Sequence, residues 1–539
     1  MDFISLSRSA KIYDRKREVH LKLKNTYPRL VIAGLRGGSG KTTLSLGLIS
    51  AWRRQGLTIA PYKKGPDYID AGWLSSAAGR ECYNLDPFLI GGDKIVSSFC
   101  GHFGAADAAV IEGNRGLYDG MDASGTYSTA ELAKLLKSPV LLILDCTKTT
   151  RTAAAMVAGM QKFDNKVLIR GVVLNRIAGS RHEKIIRETI EKYCGIPVLG
   201  AIPKLRQDLM SERHMGLTPF QEHPDVSQAV EKASEIALKY LDLPAILEMA
   251  RKTVPLSYQA DSGAAPRSGA AGTVIGIIRD AAFQFYYPEN FEELLKGGAT
   301  LVEINAMTGK KLPDIDALYI GGGFPETNAV ALAKNIVFRK ALRSAVEAGL
   351  PVYAECGGLM YLGKSISVDN RKYPMSGVFP LEFSLEKKPQ AHGYTIVEVK
   401  KRNPFYPVGT VLKGHEFHYS KVIALKDQAP GFAFGMKRGE GITGGRDGIV
   451  YKNTLATYTH LHAYGSPEWA AGMLRRALLY KRKKSRNPLS IAQGQHPHSF
   501  SLRSEGTGAH HLSDDAIRAA ETVRMLSLCK SNVESEGTG

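Results

Sequence analysis

Val31–Thr43 reads VIAGLRGGSGKTT, and the fold of the first half of the chain follows from it. A short apolar run enters a glycine-rich turn, and the turn passes through Gly-Lys-Thr-Thr into an amphipathic stretch, Lys41–Gln55. A buried strand, a glycine loop and a helix in that order aim backbone N–H groups and a helix N-terminus at one point, which makes a cradle for phosphate. Gly34, Gly37, Gly38 and Gly40 would build the loop, with Thr43 in the same cradle. Lys41 would reach the β- and γ-phosphates of ATP, and the Thr42 hydroxyl would sit on Mg²⁺. The spacing departs from the common GxxxxGK[ST] pattern, because Leu35 stands five residues before Gly40 and the glycine is Gly34, one earlier.

Outward from this loop, residues 28–243 alternate short aliphatic runs with amphipathic ones. Strands are expected at Leu30–Ala33, Thr58–Pro61, Ala108–Ile111, Val140–Leu144 and Val167–Leu174, with a helix at Thr129–Leu136. That alternation predicts a parallel sheet covered by helices on both faces. Glu112 follows the second apolar core strand and suits a Mg²⁺ ligand or water holder beside the phosphates; a surface glutamate at a strand end is the plainer reading. Asp145 closes a third strand, and there the plain reading weighs equally.

The stretch 260–272, ADSGAAPRSGAAG, reads as a linker within 244–272. A second α/β series occupies 273–480, with strands at Val274–Ile278, Ala317–Ile320 and Val352–Ala354 and helices around Asn290–Leu295 and Asn328–Ala348. The fold class is therefore α/β, with two doubly wound parallel-sheet domains. Residues 481–539 lose apolar periodicity and carry SEGTG twice, at 504–508 and 535–539; they read as a disordered tail with one short amphipathic stretch, Asp514–Leu528.

Composition narrows the class. The chain has 539 residues, 44% hydrophobic and 23% charged, with a formal charge of +19. This is ordinary for a globular protein of two or three domains. No apolar run reaches 18 residues, so no spanning helix is expected, and Met1–Lys24 lacks the apolar core of a secretory signal. Six scattered cysteines, at 82, 100, 146, 194, 356 and 529, show no CxxC or Cys/His spacing for zinc or a disulfide framework. A cytoplasmic location is expected. Basic residues concentrate in Lys11–Lys24 and Lys481–Arg486, which reads as solvated ends rather than as a nucleic-acid module.

In the second half, Val352–Leu359 reads VYAECGGL. A cysteine between an apolar strand and a helix, with glycines behind it, is an elbow that exposes the thiol and sets it on a helix N-terminus that lowers its pKa. Cys356 is thus the nucleophile candidate, whereas Cys82, Cys100, Cys146 and Cys194 read as buried structural thiols. Upstream, YIGGGFPE at 319–326 offers the N–H of Gly322 or Gly323 to pair with that of Gly357 as an oxyanion hole. Downstream, ATYTHLHAY at 456–464 supplies His460 as the base, with His462 as runner-up.

These motifs resemble known families. The long phosphate loop is similar to the dethiobiotin synthetase and MinD-like branch of P-loop proteins, in which MinD-like members carry Lys where this chain has Arg36. KKGPDYID at 63–70, NLDP at 84–87, EGNRGLYDG at 112–120 and ERHMGL at 212–217 resemble the cobyrinate a,c-diamide synthase family. The second half is similar to class I glutamine amidotransferases of the cobyric acid and cobyrinate type. RDAAFQFYYPEN at 279–290 and GHEFHYS at 414–420 fit the same family but receive no catalytic role. The resemblance implies that Asp67, Tyr68, Asp70 and Asp119 surround a substrate carboxylate or its metal–phosphate bridge, and that Asn175 contacts adenine. Read from the residues alone, GPDYID could equally cap a helix. Many class I members place Glu two residues after the catalytic His; here that position is His462, so only a Cys–His pair is expected.

The implied activity is ATP- and glutamine-dependent amidation of two carboxylates, the a and c side chains, of a tetrapyrrole such as cobyrinic acid, through an acyl phosphate and ammonia. L-Glutamine and a polycarboxylate tetrapyrrole would be the partners, with neither nucleic acid nor membrane; a homodimer stays open. Family members more often show apolar residues in the positions of Asn114 and Arg115, so sirohydrochlorin, sirohaem or a nickel sirohydrochlorin are alternative substrates. A rival of another class is a P-loop nucleotide switch that merely carries an amidotransferase-like domain.

Overall fold

The computed structural model describes residues 26–205, 212–213, 216–217, 222–223, 225–257, 270, 272–425 and 431–486. Most of the expected linker, His214 and Met215 of ERHMGL, Cys529, the SEGTG repeats and the stretch Asp514–Leu528 lie outside the described residues.

The first sheet has seven strands: β1 (Arg29–Gly34), β2 (Ile59–Lys64), β3 (Tyr83–Leu85), β4 (Ala108–Gly116), β5 (Val140–Asp145), β6 (Ile169–Ile177) and β7 (Val198–Pro203). They lie in the order β3-β2-β4-β1-β5-β6-β7, and every pairing is parallel. Strands of such a sheet are covered on both faces and read as continuous apolar runs. Val31, Ala33, Leu142 and Leu144 belong to one core, and Leu30, Ile32, Leu141 and Ile143 to the core on the opposite face. β1 lies centrally between β4 and β5, so the phosphate loop, Glu112 and Asp145 emerge side by side at the carboxyl ends of adjacent strands. This is where open α/β sheets bind ligands.

The first body runs past the expected limit at residue 243. Helix Leu243–Arg251 buries Leu243, Ile246 and Ala250 in its core, and the buried Arg29 guanidinium donates to the Val254 carbonyl at 2.9 Å.

The second sheet is parallel only in part, which corrects the expectation of two parallel sheets. Its strands are β8 (Val274–Ile278), β9 (Thr300–Ile304), β10 (Ala317–Ile320), β11 (Val352–Glu355), β12 (Ala391–Val399), β13 (Val411–His418), β14 (Phe432–Arg438), β15 (Arg446–Tyr451), β16 (Thr454–Thr457) and β17 (His460–Leu461). The block β9-β8-β10-β11-β16 is parallel. The remainder, β15, β14, β12, β13 and β17, joins it antiparallel. The alternating patterns of β12 and β13 belong to this half-solvated antiparallel wing. The helix expected over 328–348 is two, Ala329–Lys334 and Ile336–Glu347. Asn335 breaks it by capping the Phe338 N–H and donating to the carbonyls of Ala306 and Gly309. The last helix, Pro467–Arg486, takes in the first residues assigned to the tail, because Tyr480 is buried and Lys484 pairs with Asp316 at 3.0 Å.

The two sheets meet through polar and aromatic contacts. Tyr83 and His102 of the first body reach Glu292 of the second at 2.8 and 3.1 Å, and the Tyr464 hydroxyl donates to the same carboxylate at 3.1 Å. Tyr394 donates to Asp86 at 2.6 Å and stacks on Phe88 at 4.2 Å.

Candidate active site

The phosphate loop is held in shape before any ligand enters. Gly38 and Gly40 adopt φ of 70° and 96°, a left-handed backbone that favours glycine. The Ser39 hydroxyl donates to the Arg36 carbonyl at 2.8 Å, and Lys41 reaches the same carbonyl at 3.3 Å. Burial lowers the Lys41 pKa, with Glu112 opposing. Asn175, expected against adenine, donates from Nδ2 to the Ser39 carbonyl at 2.9 Å, so its amide braces the loop. Asp145 is a strut as well: Arg36 and Arg176 reach it at 3.1 and 2.7 Å. Burial pushes the carboxyl up, but hydrogen bonds from Thr147, Arg36 and Arg176 outweigh it and hold Asp145 down to about 2.

Beside the loop a buried lysine gathers three carboxylates. Lys63, at the end of β2, lies 2.8 Å from Glu112, 2.7 Å from Asp70 and 3.7 Å from Asp67. Burial disfavours its charge, yet the three acids raise its pKa well above the ordinary value. Asp67 is pushed up to about 7, first by burial and then by Asp70. Burial also raises Asp70, but Lys63 prevails and holds it below the usual range. Glu112 is raised by burial despite Lys63. The Thr42 hydroxyl donates to Glu112 Oε1 at 2.8 Å, while Oε2 is buried without a hydrogen-bond partner. Among the described residues no cluster of three acidic, His or Cys side chains forms a metal cage. The unpartnered Glu112 Oε2 beside the Thr42 hydroxyl is the oxygen pair that would suit Mg²⁺, an ion that takes one or two protein oxygens and completes its shell with phosphates and water.

The turn also answers the helix-cap alternative: Asp67 Oδ1 accepts from the Asp70 N–H at 2.9 Å, so it caps and lines the site together. Asp119 accepts from the Gly116 N–H at 2.8 Å. Asp67, Tyr68, Asp70 and Asp119 all border a cavity of about 520 Å³, and so do Phe285, His415, Phe417 and His460 of the second body. Buried Lys64 also lines it, and exposed Arg115, His392 and Arg438 stand at its rim.

Cys356 lies behind the residues that line this cavity, buried at φ 47°, ψ −99° between β11 and the helix Gly357–Leu362. A non-glycine residue at positive φ is strained, which is the mark of a nucleophile elbow. The thiol lies 4.0 Å from the Phe417 carbonyl. The expected lowering of its pKa does not occur. Burial pushes the Cys356 thiol well up, and the Glu326, Glu355 and Glu416 carboxylates add to that, against the Gly357 N–H. A six-residue helix does not offset full desolvation. Gly322, Gly323 and Gly357 lie close together: a Cβ on Gly357 would lie 3.0 Å from the Gly323 nitrogen, and one on Gly322 would strike the His460 ring.

His460 is buried, and its Nδ1 lies 3.4 Å from Glu355 Oε2. Among the described residues no hydrogen bond joins it to Cys356; such bonds commonly tighten only with substrate. His462 is turned away, buried with Nε2 3.4 Å from Glu289. Cys82, Cys100 and Cys146 are buried as expected, whereas Cys194 is half-buried.

Two family models match the chain. A CobQ/CobB/MinD/ParA nucleotide binding domain covers residues 30–216, and a CobB/CobQ-like glutamine amidotransferase domain covers residues 274–468. A cobyrinate a,c-diamide synthase from Magnetococcus marinus is 42% identical over 83% of this chain and 97% of its own length. The chain belongs to the cobyrinate a,c-diamide synthase family. The synthase of that name from Archaeoglobus fulgidus is 42% identical over 84% of this chain and 98% of its own length. For that from Methanosphaera stadtmanae the figures are 38%, 82% and 97%. Membership in this synthase family rules out a bare nucleotide switch, because both halves of the chain match. No helix among the described residues is long and apolar enough to cross a membrane.

Some of the site escaped the sequence reading. His415 stacks on His460 at 4.9 Å and Phe417 turns its carbonyl toward Cys356, yet their motif, GHEFHYS, was given no catalytic role. Lys63 stood inside KKGPDYID without a function, and Glu355 was passed over as the residue before the nucleophile. A charged residue within an otherwise apolar strand end was the signal in both cases.

Proposed function

We propose that this protein is a cobyrinate a,c-diamide synthase, which joins ammonia from glutamine to two side-chain carboxylates of cobyrinic acid with hydrolysis of ATP. The observation that carries the proposal is the cavity bordered at once by the Asp67–Asp70 turn and by His460.

At the glutamine site the Cys356 sulfur attacks the side-chain amide carbon as its proton passes to His460. The N–H groups of Gly323 and Gly357 receive the oxyanion. His460 then returns the proton to the departing nitrogen, releasing ammonia and leaving a thioester that water hydrolyses. Because burial holds the thiol protonated, proton transfer accompanies glutamine binding rather than preceding it.

At the other site a carboxylate is a poor electrophile until it is phosphorylated. The loop Gly34–Thr43 cradles the phosphates of ATP, and Lys41 steadies the γ-phosphoryl group as it passes to the substrate carboxylate. Thr42 and Glu112 would hold Mg²⁺, which when bound neutralises phosphate charge. Lys63 keeps Asp67 and Asp70 fixed around the reacting carboxylate, and Asn175 keeps the loop in register. Ammonia crosses the cavity between the two bodies, attacks the acyl phosphate and displaces phosphate.

Arg115, His392 and Arg438 at the rim suit the carboxylates that are not reacting. Every group this chemistry uses comes from one chain, a homodimer is compatible with it, and the expected place of action is the cytoplasm. Offering cobyrinic acid and sirohydrochlorin side by side with ATP and glutamine tests the substrate. Amidation of cobyrinic acid is expected; amidation of sirohydrochlorin alone would overturn the assignment.

A further inference from the structure

Position 462, where many glutamine amidotransferases of this class carry the glutamate that steadies the catalytic histidine, is itself a histidine, with Nε2 3.4 Å from Glu289. His460 nevertheless meets a carboxylate. Glu355, the residue immediately before the nucleophile, ends β11 with its side chain buried, and its Oε2 lies 3.4 Å from His460 Nδ1. The carboxylate is itself fixed: the Tyr319 hydroxyl donates to Oε2 at 3.0 Å and the Leu461 N–H to Oε1 at 3.2 Å. The pairing of β11 with β16, Glu355 beside Thr457, brings this strand end level with the segment that carries His460. The opposite edge of the imidazole, Cε1 and Nε2, faces Gly322 of the oxyanion loop. His460 Nδ1 is buried and makes no hydrogen bond at this separation, so the Glu355 carboxylate is the acceptor within its reach; a histidine whose Nδ1–H turns to a carboxylate presents a basic Nε2, which is the tautomer a thiol needs.

We infer that Glu355 is the positioning residue of the Cys356–His460 pair, supplied from the nucleophile's own strand. This rests on the glutaminase reading above. The Glu355 carboxylate fixes the Nδ1–H tautomer and stabilises the imidazolium formed when Nε2 takes the thiol proton.

The test measures glutamine hydrolysis by the full-length enzyme and its Glu355→Gln variant, with amidation driven by ammonium chloride as the folding control. The expected result is a fall in kcat for glutamine of about 100-fold or more, with KM within about twofold and ammonia-driven amidation retained. Tyr319→Phe, which removes one donor to the carboxylate, is expected to lower kcat severalfold with KM unchanged, and it decides the matter if Glu355→Gln loses the ammonia-driven reaction. A kcat within about threefold of the parent in a folded variant would overturn the inference, and so would a loss confined to KM. A parent enzyme with no glutaminase activity would instead sink the glutaminase reading itself, and the inference with it.

Discussion

The ring of Tyr68, from the turn that borders the phosphate loop, lies 5.4 Å from the ring of His460, the base proposed for the glutamine site. The same tyrosine stacks on Phe285 at 5.2 Å and packs on Tyr287 at 4.7 Å. One side chain of the first body therefore fills an aromatic box in the second, between the two chemistries. Tyr68→Ala opens that wall. Each partial reaction should persist within about tenfold, while ammonia escapes, so that several glutamines are hydrolysed per amide formed. Counting glutamate against amide product checks this, and an unchanged ratio would refute a separating role.

Lys63 offers a sharper separation of the halves. Among the described residues it is the cation in direct contact with Asp67, Asp70 and Glu112, at 2% side-chain exposure, with Lys41 further off. Lys63→Met leaves buried carboxylates without a counter-charge, a change that costs about 3–5 kcal/mol. A Tm lowered by several degrees and loss of ATP-dependent amidation are expected. Glutamine hydrolysis, which uses no group within reach of Lys63, should survive below the new Tm.

The junction of the two bodies should be acid-sensitive through Glu292. Burial raises this carboxyl, but His102 and Tyr83 outweigh it and bring it down to about 2 from an ordinary 4.5. A folded pKa below the unfolded one gives stability that is fully present above about 4.5 and lost as pH falls toward 2. With solvent screening the amount is on the order of 2 kcal/mol. Glu292→Gln should therefore be less stable than the parent near pH 7, and the two should converge as pH drops through that window. Denaturant midpoints at pH 7, 4.5 and 3 measure it.

Arg115 stands exposed at the cavity rim with φ 52°. Arg115→Met removes a cation from the substrate side and nothing from the glutamine site. An increase of about tenfold in KM for the tetrapyrrole is expected, with glutaminase kcat unchanged. An unaltered KM and unaltered substrate preference would remove Arg115 from recognition.

The parts of this architecture that were legible from residues alone are those with local physics. The phosphate loop, the elbow at Cys356 and the strand ends at Glu112 and Asp145 declare themselves by apolar runs ending in glycine or a charge. Long-range pairing was not legible. β2 was expected to stop at Pro61, yet it runs to Lys64, because carboxylates brought from Ile69–Ala78 and β4 let Lys63 be buried. The antiparallel wing β12–β15 went unseen, since its alternating pattern fits either face until its partners are known. The same holds for Glu355: no spacing rule links it to His460, and only the register of β11 with β16 does. The helix N-terminus behind Cys356 was read correctly as geometry, but burial was the larger effect on the thiol.

The most direct test of the central claim is a product mass measurement on cobyrinic acid incubated with ATP, Mg²⁺ and glutamine labelled with ¹⁵N in its side-chain amide. The account predicts a diamide with both new nitrogens labelled, ADP formed alongside, and no labelled product from Cys356→Ala unless ammonia is added. Unchanged cobyrinic acid, or label incorporated equally by Cys356→Ala, would contradict it.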